Sequence, residues 1–404
     1  MNLALVLWGC GLAASSGVPG CLMDRRSRIG QGVATLLASL GAATGLTGAV
    51  RCLVSGETVS LEGTWSLPWG SPALRLDPLA AFFLVPVFLI PALGSLYGQE
   101  YWRQSEHQDN GRRLRFFYGL LCASMGVVVL ARDAVLLLIA WEIMALSAFF
   151  LATTEDEDPA ACRSGWIYLV ATHLGTICLI SLFAFLQRTT GSTALVPIAD
   201  GMTSEAVTLL FLLTLLGFGF KAGLMPLHVW LPGAHANAPS HVSAVMSGVM
   251  LKMGIYGIVR MTGLLPRVAP WHAGLLLAVG AVSAVLGGVL ALAQSDLKRT
   301  LAYSSIENIG IIALGLGLAL LGRSVHRADW MALGLSGALL HVWNHSLFKS
   351  LLFFNAGAVI HAAHTREIGR LGGLSRRMPR VAALFMVGAG SICALPGLNG
   401  FVSE

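Results

Sequence analysis

The sequence predicts an all-α fold, a polytopic transmembrane helix bundle with about 12 helices present, on three observations. Of its 404 residues, 55% are hydrophobic and only 11% are charged, against roughly 25% charged in an ordinary soluble domain. Apolar segments follow one another at about 3–20, 31–54, 78–98, 116–131, 134–153, 165–186, 206–226, 239–262, 272–294, 301–321, 331–360 and 381–404. Each is near the ~20 residues needed to cross ~30 Å of hydrocarbon. Several of them also carry an ionisable side chain well inside the run, where a charge costs roughly 2.5–3.5 kcal/mol on the insertion scale. A bundle that keeps such groups must turn them toward protein or water.

The net charge of +6 follows from topology and does not point to nucleic acid. With the N-terminus outside, the inward loops 21–30, 99–115, 154–164, 227–238, 295–300 and 363–380 hold about twice as many Lys and Arg as the outward ones. That asymmetry predicts an N-out orientation. Arg is the usual loop cation, whereas Lys221, Lys252 and Lys349 fall inside helices. The seven Cys include no CxxC pair, which argues against an iron–sulfur cluster or a zinc ribbon. The start, MNLALVLWGCGLAASS, has no basic n-region, so it is expected to stay as a first helix and not to be cleaved as a signal.

Taken in order, the first three helices carry almost no internal charge and are expected to be lipid-facing scaffold. Asp77-Pro78 opens the third with ordinary helix-start chemistry. The fifth carries Glu142 about eight residues from its start, near mid-depth at 1.5 Å per residue. It is either a neutralised structural acid or a partner for a buried lysine, and pairing costs less than an isolated charge. The run Glu155-Asp156-Glu157-Asp158 that follows reads as a solvated loop, with docking of a partner as the other option. His173, alone on helix six, reads more readily as a packing residue than as a relay.

The most informative stretch runs from Thr208 to Arg260. Pro226 lies five residues beyond Lys221, with Pro232 further on. The seventh helix should therefore break at the lysine, beside protein or a hydrated cavity that can satisfy the freed backbone groups. In helix eight His241 and Lys252 are eleven residues apart, nearly the same face of a regular helix and about 16 Å along its axis. His228 and His235 lie nearby with no Cys or carboxylate at ligand spacing, so no metal site is expected. Helix ten carries Glu307. Helix eleven carries His341, His345 and Lys349 at i, i+4 and i+8, one polar ribbon. The last helix repeats the proline-marked break at Pro396-Gly397 and ends on Glu404, which predicts a fragment or half of a split gene. Groups of alternating sign spread through the helices suit a lateral proton wire, since charging one shifts the titration of the next.

At LLLIAWEIMALSAFFL, GFGFKAGLMPLHVWLPGAHANAPSHVSAVMSGVMLKMGIYG, LAYSSIENIGII, HVWNHSLFKSLLFFNAGAVI and LPGLNGFVSE the chain resembles the antiporter-like proton-translocating membrane subunits of respiratory complex I, multisubunit cation/proton antiporters and energy-converting hydrogenases. Within that family it is most similar to the hydrogenase-4 and formate hydrogenlyase type. The resemblance, which covers roughly 75–404, implies inverted five-helix repeats with discontinuous helices. Residues 1–114 would supply helices 1–3, 115–262 the first repeat and its proton half-channel, and 272–404 a truncated second repeat. By position, Glu142 and Lys221 match the carboxylate and lysine of the first half-channel, and Lys252 the lysine toward the central axis. His345 matches the central histidine and Glu404 the ionisable residue of the second broken helix. Glu307 stands where many members have a neutral residue or a histidine.

The function expected from this resemblance is proton translocation by a membrane subunit of a redox-driven complex of hydrogenase or NADH/quinone oxidoreductase type. The relay would use Glu142, Lys221, His241, Lys252, Glu307, His341, His345, Lys349 and Glu404. The alternative is a subunit of a secondary cation/proton antiporter with no redox partner. With no nucleotide loop or cofactor ligand set in the sequence, redox cofactors are expected in partner subunits, the other membrane and peripheral members of a complex in a bacterial or archaeal plasma membrane.

Overall fold

The computed structural model describes residues 1–404 apart from positions 26 and 68. Among the described residues, helices long and apolar enough to cross a membrane are Asn2–Leu22, Ile29–Ser55, Pro78–Tyr101, Gly111–Leu130, Ala134–Ala152, Pro159–Thr190, Ser204–Ala222, Ser240–Leu264, Pro270–Leu292, Leu297–Ser324 and Ala328–Ala363. They match the first eleven apolar segments of the sequence. The twelfth segment is split into Pro379–Ile392 and Asn399–Ser403, with Ala394 and Gly397 in the left-handed region between them at φ 49° and 90°. The fold is therefore an all-α multi-pass membrane bundle. A two-stranded antiparallel ribbon also connects helices, Val59–Leu61 against Leu74–Leu76 with Ser60 opposite Arg75.

The chain forms two compact units. One comprises Met1–Val196 with Asn237–Val245, the other Pro197–Ala236 with Met246–Glu404.

In the first unit, Asn2–Ser15 packs closely on Ile29–Ser55. A Cβ on Gly9 would lie 2.7 Å from the Gly41 carbonyl oxygen, so only glycine allows that approach. Pro78–Tyr101 is capped by Asp77, which accepts from the Ala80 N–H at 2.8 Å and pairs with buried Arg132 at 3.0 Å. Pro91 inside this helix cannot donate to the Val87 carbonyl. The Cys122 thiol donates to that carbonyl instead, at 3.5 Å. Asp133 caps Ala134–Ala152 through the Val135 N–H at 2.8 Å and accepts the Thr193 hydroxyl at 2.6 Å.

The second helix buries two neutral polar side chains, Gln31 and Thr35. The Gln31 amide donates to the Gln99 carbonyl at 3.0 Å and accepts the Gln104 N–H at 2.9 Å, tying down the end of Pro78–Tyr101. Neutral polar side chains do not register in a count of charges.

In the second unit, Ser204–Ala222 lies tight against Leu251–Leu264. A Cβ on Gly254 would come within 2.5 Å of the Phe218 carbonyl oxygen and 2.6 Å of the Ala222 nitrogen. Pro270–Leu292, Leu297–Ser324 and Ala328–Ala363 pack in sequence, with Pro379–Ile392 against the last of them. Helix eight is not uniform, since Met246–Met250 forms a π turn between two α segments. A π turn adds a residue to the turn, so the regular rotation that would align His241 with Lys252 does not hold along it.

Candidate functional site

Both units hold ionisable groups at membrane depth. In the first unit Glu142 sits in the third turn of Ala134–Ala152, about 12 Å from its start at 1.5 Å per residue. The neighbouring helix Pro159–Thr190 supplies both of its partners. Thr176 donates its hydroxyl to Glu142 Oε1 at 2.6 Å, and His173 Nε2 lies 3.3 Å from Oε2. His173 Nδ1 faces the Leu169 carbonyl at 2.9 Å, which can only accept, so Nδ1 carries a hydrogen. The Tyr168 hydroxyl donates to the Ala145 carbonyl at 3.2 Å and locks the two helices in register. The Glu142 side chain is 31% exposed and that of His173 44%.

His241 is buried in the same unit, edge-on to Tyr101 with centroids 5.8 Å apart and tilted to Tyr118 at 5.7 Å. The Tyr101 hydroxyl donates to Ser240 Oγ at 3.1 Å. Beside the imidazole is a cavity of about 20 Å³ with Gln31, Thr35, Ser95 and Arg115 among its walls, room for a water molecule, which needs roughly 10–15 Å³.

In the second unit, Lys221 lies in the last turn of Ser204–Ala222 and is 1% exposed. The helix ends at Gly223, at φ 78°, whose N–H and that of Leu224 both reach the Gly219 carbonyl, at 2.9 and 3.2 Å. The break thus falls at the lysine, and Gly223 makes it ahead of Pro226. Backbone groups freed there find partners: the Trp230 indole donates to the Phe220 carbonyl at 2.8 Å, and the Met225 N–H to Ser283 Oγ at 2.9 Å. The negative end of the helix dipole also favours a cation in this turn.

Lys252, 1% exposed, donates to the Ser247 carbonyl at 2.6 Å and lies 2.5 Å from His345 Nδ1. With Lys252 as an ammonium, His345 Nδ1 accepts and Nε2 holds the hydrogen of the neutral ring. The His341 ring stacks against that of His345 with centroids 6.2 Å apart. His341 Nε2 donates to Asn308 Oδ1 at 3.0 Å, and its Nδ1 accepts the Ser403 hydroxyl at 2.9 Å. This orientation follows from the Asn308 amide, which donates to the Ser304 carbonyl at 2.8 Å. Lys349 donates to Ser304 Oγ at 2.6 Å. Neither Lys252 nor Lys349 has a carboxylate within ion-pair distance among the described residues. Glu307 and Glu404 line one cavity of about 1110 Å³ that also reaches Ser304, beside the bend that holds Pro396.

The structure thus groups Lys252 with His345, His341 with Ser403 of the second broken helix, and Lys349 with Ser304. It adds Ser304, Asn308 and Ser403 to this second-unit network, and His173 and Thr176 to Glu142. For these polar residues the sequence signal was spacing. Ser304 and Asn308 stand at i, i+4 on one helix, and His173 and Thr176 at i, i+3 on another.

The profile of the family described as NADH:quinone oxidoreductase/Mrp antiporter, TM, matches residues 131–404. The chain belongs to this family. It is 39% identical to hydrogenase-4 component B of Escherichia coli, a match that covers 100% of this chain and 60% of that protein. It is 35% identical to formate hydrogenlyase subunit 3 of the same organism, over 91% of this chain and 59% of the relative. A chain of the Mrp complex from Dietzia sp. superposes with a TM-score of 0.84 at 30% identity, covering 100% of this chain and 42% of that one. The chain therefore spans roughly 60% of the length of these two curated relatives.

Proposed function

We propose that the chain is a proton-translocating membrane subunit of a redox-driven complex of hydrogenase or NADH/quinone oxidoreductase type. The observation that carries this reading is the hydrogen bond between Lys252 and His345 in a setting with no exposed atoms to speak of. An ammonium that donates to an imidazole nitrogen can pass its proton along that bond. The pair then becomes a neutral amine and an imidazolium whose second N–H, on Nε2, has no hydrogen-bond acceptor among the described residues, so the step onward needs a rearrangement of the ring or a water. His341, stacked on His345, Asn308, Ser304 and Lys349 extend polar contact away from that point.

In this reading Glu142 and Lys221 load the first half-channel, as the family resemblance assigns them, and Glu307 and Glu404 serve its far end. His241 joins at the water-sized cavity. Redox cofactors reside in partner subunits, and a conformational or electrostatic change there drives the relay. The loop distribution of Lys and Arg supports an N-terminus outside a bacterial or archaeal plasma membrane. The likeness to a chain of the Mrp complex favours one second reading, cation/proton antiport without a redox partner.

The test is Lys221→Ala in the assembled complex, in inside-out vesicles supplied with its redox substrate. Assembly with proton translocation abolished is expected. Retained pumping would count against the relay, and sodium-for-proton exchange with no redox turnover would favour the antiporter.

A further inference from the structure

We propose that His173 is the group through which Glu142 gains and loses its proton, with Thr176 as the residue that positions the carboxylate. The inference deepens the proton-translocation reading and rests on it for its physiological meaning, but its geometry stands alone.

The argument begins with counting hydrogens. Nδ1 of His173 must donate, because its partner is the Leu169 carbonyl at 2.9 Å. A neutral ring with its hydrogen on Nδ1 presents a lone pair at Nε2, and a carboxylate 3.3 Å away presents another. Two lone pairs facing each other repel, so the contact holds one proton. The pair is either imidazolium with carboxylate or imidazole with carboxylic acid, and the two differ only in the position of that proton. In the transfer the Nε2–H bond breaks and the Oε2–H bond forms, while the Nδ1–H stays on the Leu169 carbonyl throughout. No electron moves and no further reactant is required.

Thr176 fixes which oxygen takes part. Its hydroxyl donates to Oε1 at 2.6 Å, one helical turn from His173, and so turns Oε2 toward the imidazole. Leu169 and Thr176 hold the two reacting groups from opposite sides, the arrangement proton transfer over one hydrogen bond needs.

Exposure gives the pair its direction. The His173 side chain is 44% exposed, more than the 31% of Glu142, so the imidazole is the outer member. Its surroundings are apolar, with Ile139, Ile143, Val170, Leu174 and Ile177 all exposed on the same two helices. His173 is thus the polar group that stands between Glu142 and this apolar face.

The test combines proton translocation by the assembled complex in vesicles with infrared titration of the Glu142 carboxyl, identified by its loss in Glu142→Gln. His173→Phe is expected to assemble, to lower translocation at least about tenfold, and to change the infrared band of the Glu142 carboxyl, which loses its imidazole partner. His173→Gln, which keeps a hydrogen-bond donor but cannot pass a proton, should do the same and replaces the Phe variant if that one fails to assemble. Thr176→Val should give a smaller loss. An unchanged carboxyl band in the His173 variants, or wild-type translocation in either, overturns the proposal. If the wild-type complex moves no protons at all, the functional reading fails, and the infrared titration still decides on the pair.

Discussion

Glu142 in the first unit keeps 31% of its side chain exposed and is held by a hydroxyl and an imidazole. Lys252, His341, His345 and Lys349 in the second unit are at most 1% exposed and contact hydroxyls, carbonyls, an amide and one another. Both arrangements meet the high cost of charge at membrane depth. The first does so by giving the acid a titratable partner at the edge of the unit, the second by enclosing its basic groups among neutral hydrogen-bonding groups. The acid and the imidazole of the first can exchange a proton with each other. An enclosed chain can only pass protons along, so losing one member interrupts it, whereas at the edge the loss falls on loading.

The sharpest way to break this comparison is at the centre of the enclosed chain. His345→Leu removes the acceptor of Lys252, and translocation measured by pH-sensitive dye in vesicles should fall by about 10² or more. A loss of only a few-fold would mean that protons bypass the imidazole. Asn308→Leu tests whether enclosure is also structural. It strands the Nε2 hydrogen of His341, and thermal unfolding of the purified complex should show a loss of about 1–3 kcal/mol. An unchanged stability would mean that this hydrogen finds another acceptor.

The smallest effect belongs to the loop. The Arg113 guanidinium donates to Asp156 at 2.7 Å and holds its carboxyl below the usual range. A depressed carboxylate adds stability above its unfolded value, near 3.9, and that stability is lost as the pH falls through the lower folded value. Because Asp156 is 52% exposed, Asp156→Asn should cost less than ~1 kcal/mol at neutral pH, and less still in strong acid. A larger cost would show that the acidic loop is part of a buried contact in the complex.

Much of the fold was legible because membrane helices announce themselves by length and apolarity, and eleven helices fall where the apolar runs do. The break at Lys221 was legible too, although its agent is Gly223, whose left-handed backbone no proline rule reveals. The π turn at Met246–Met250 left no mark, since neither proline nor a polar cluster interrupts that run. The ribbon of His341, His345 and Lys349 could be read from helical spacing alone. Its partners could not, because Asn308, Ser304 and Ser403 lie on other helices, and only packing brings them to the histidine and the lysine. The contact of His173 with Glu142 could not be read either, because the two are more than thirty positions apart in sequence.

The most direct test of the relay is the number of protons moved per electron by the assembled complex carrying Lys252→Ala. The account predicts continued redox turnover with a proton yield near zero, since the donor to His345 is gone. A wild-type proton yield in that variant would contradict it.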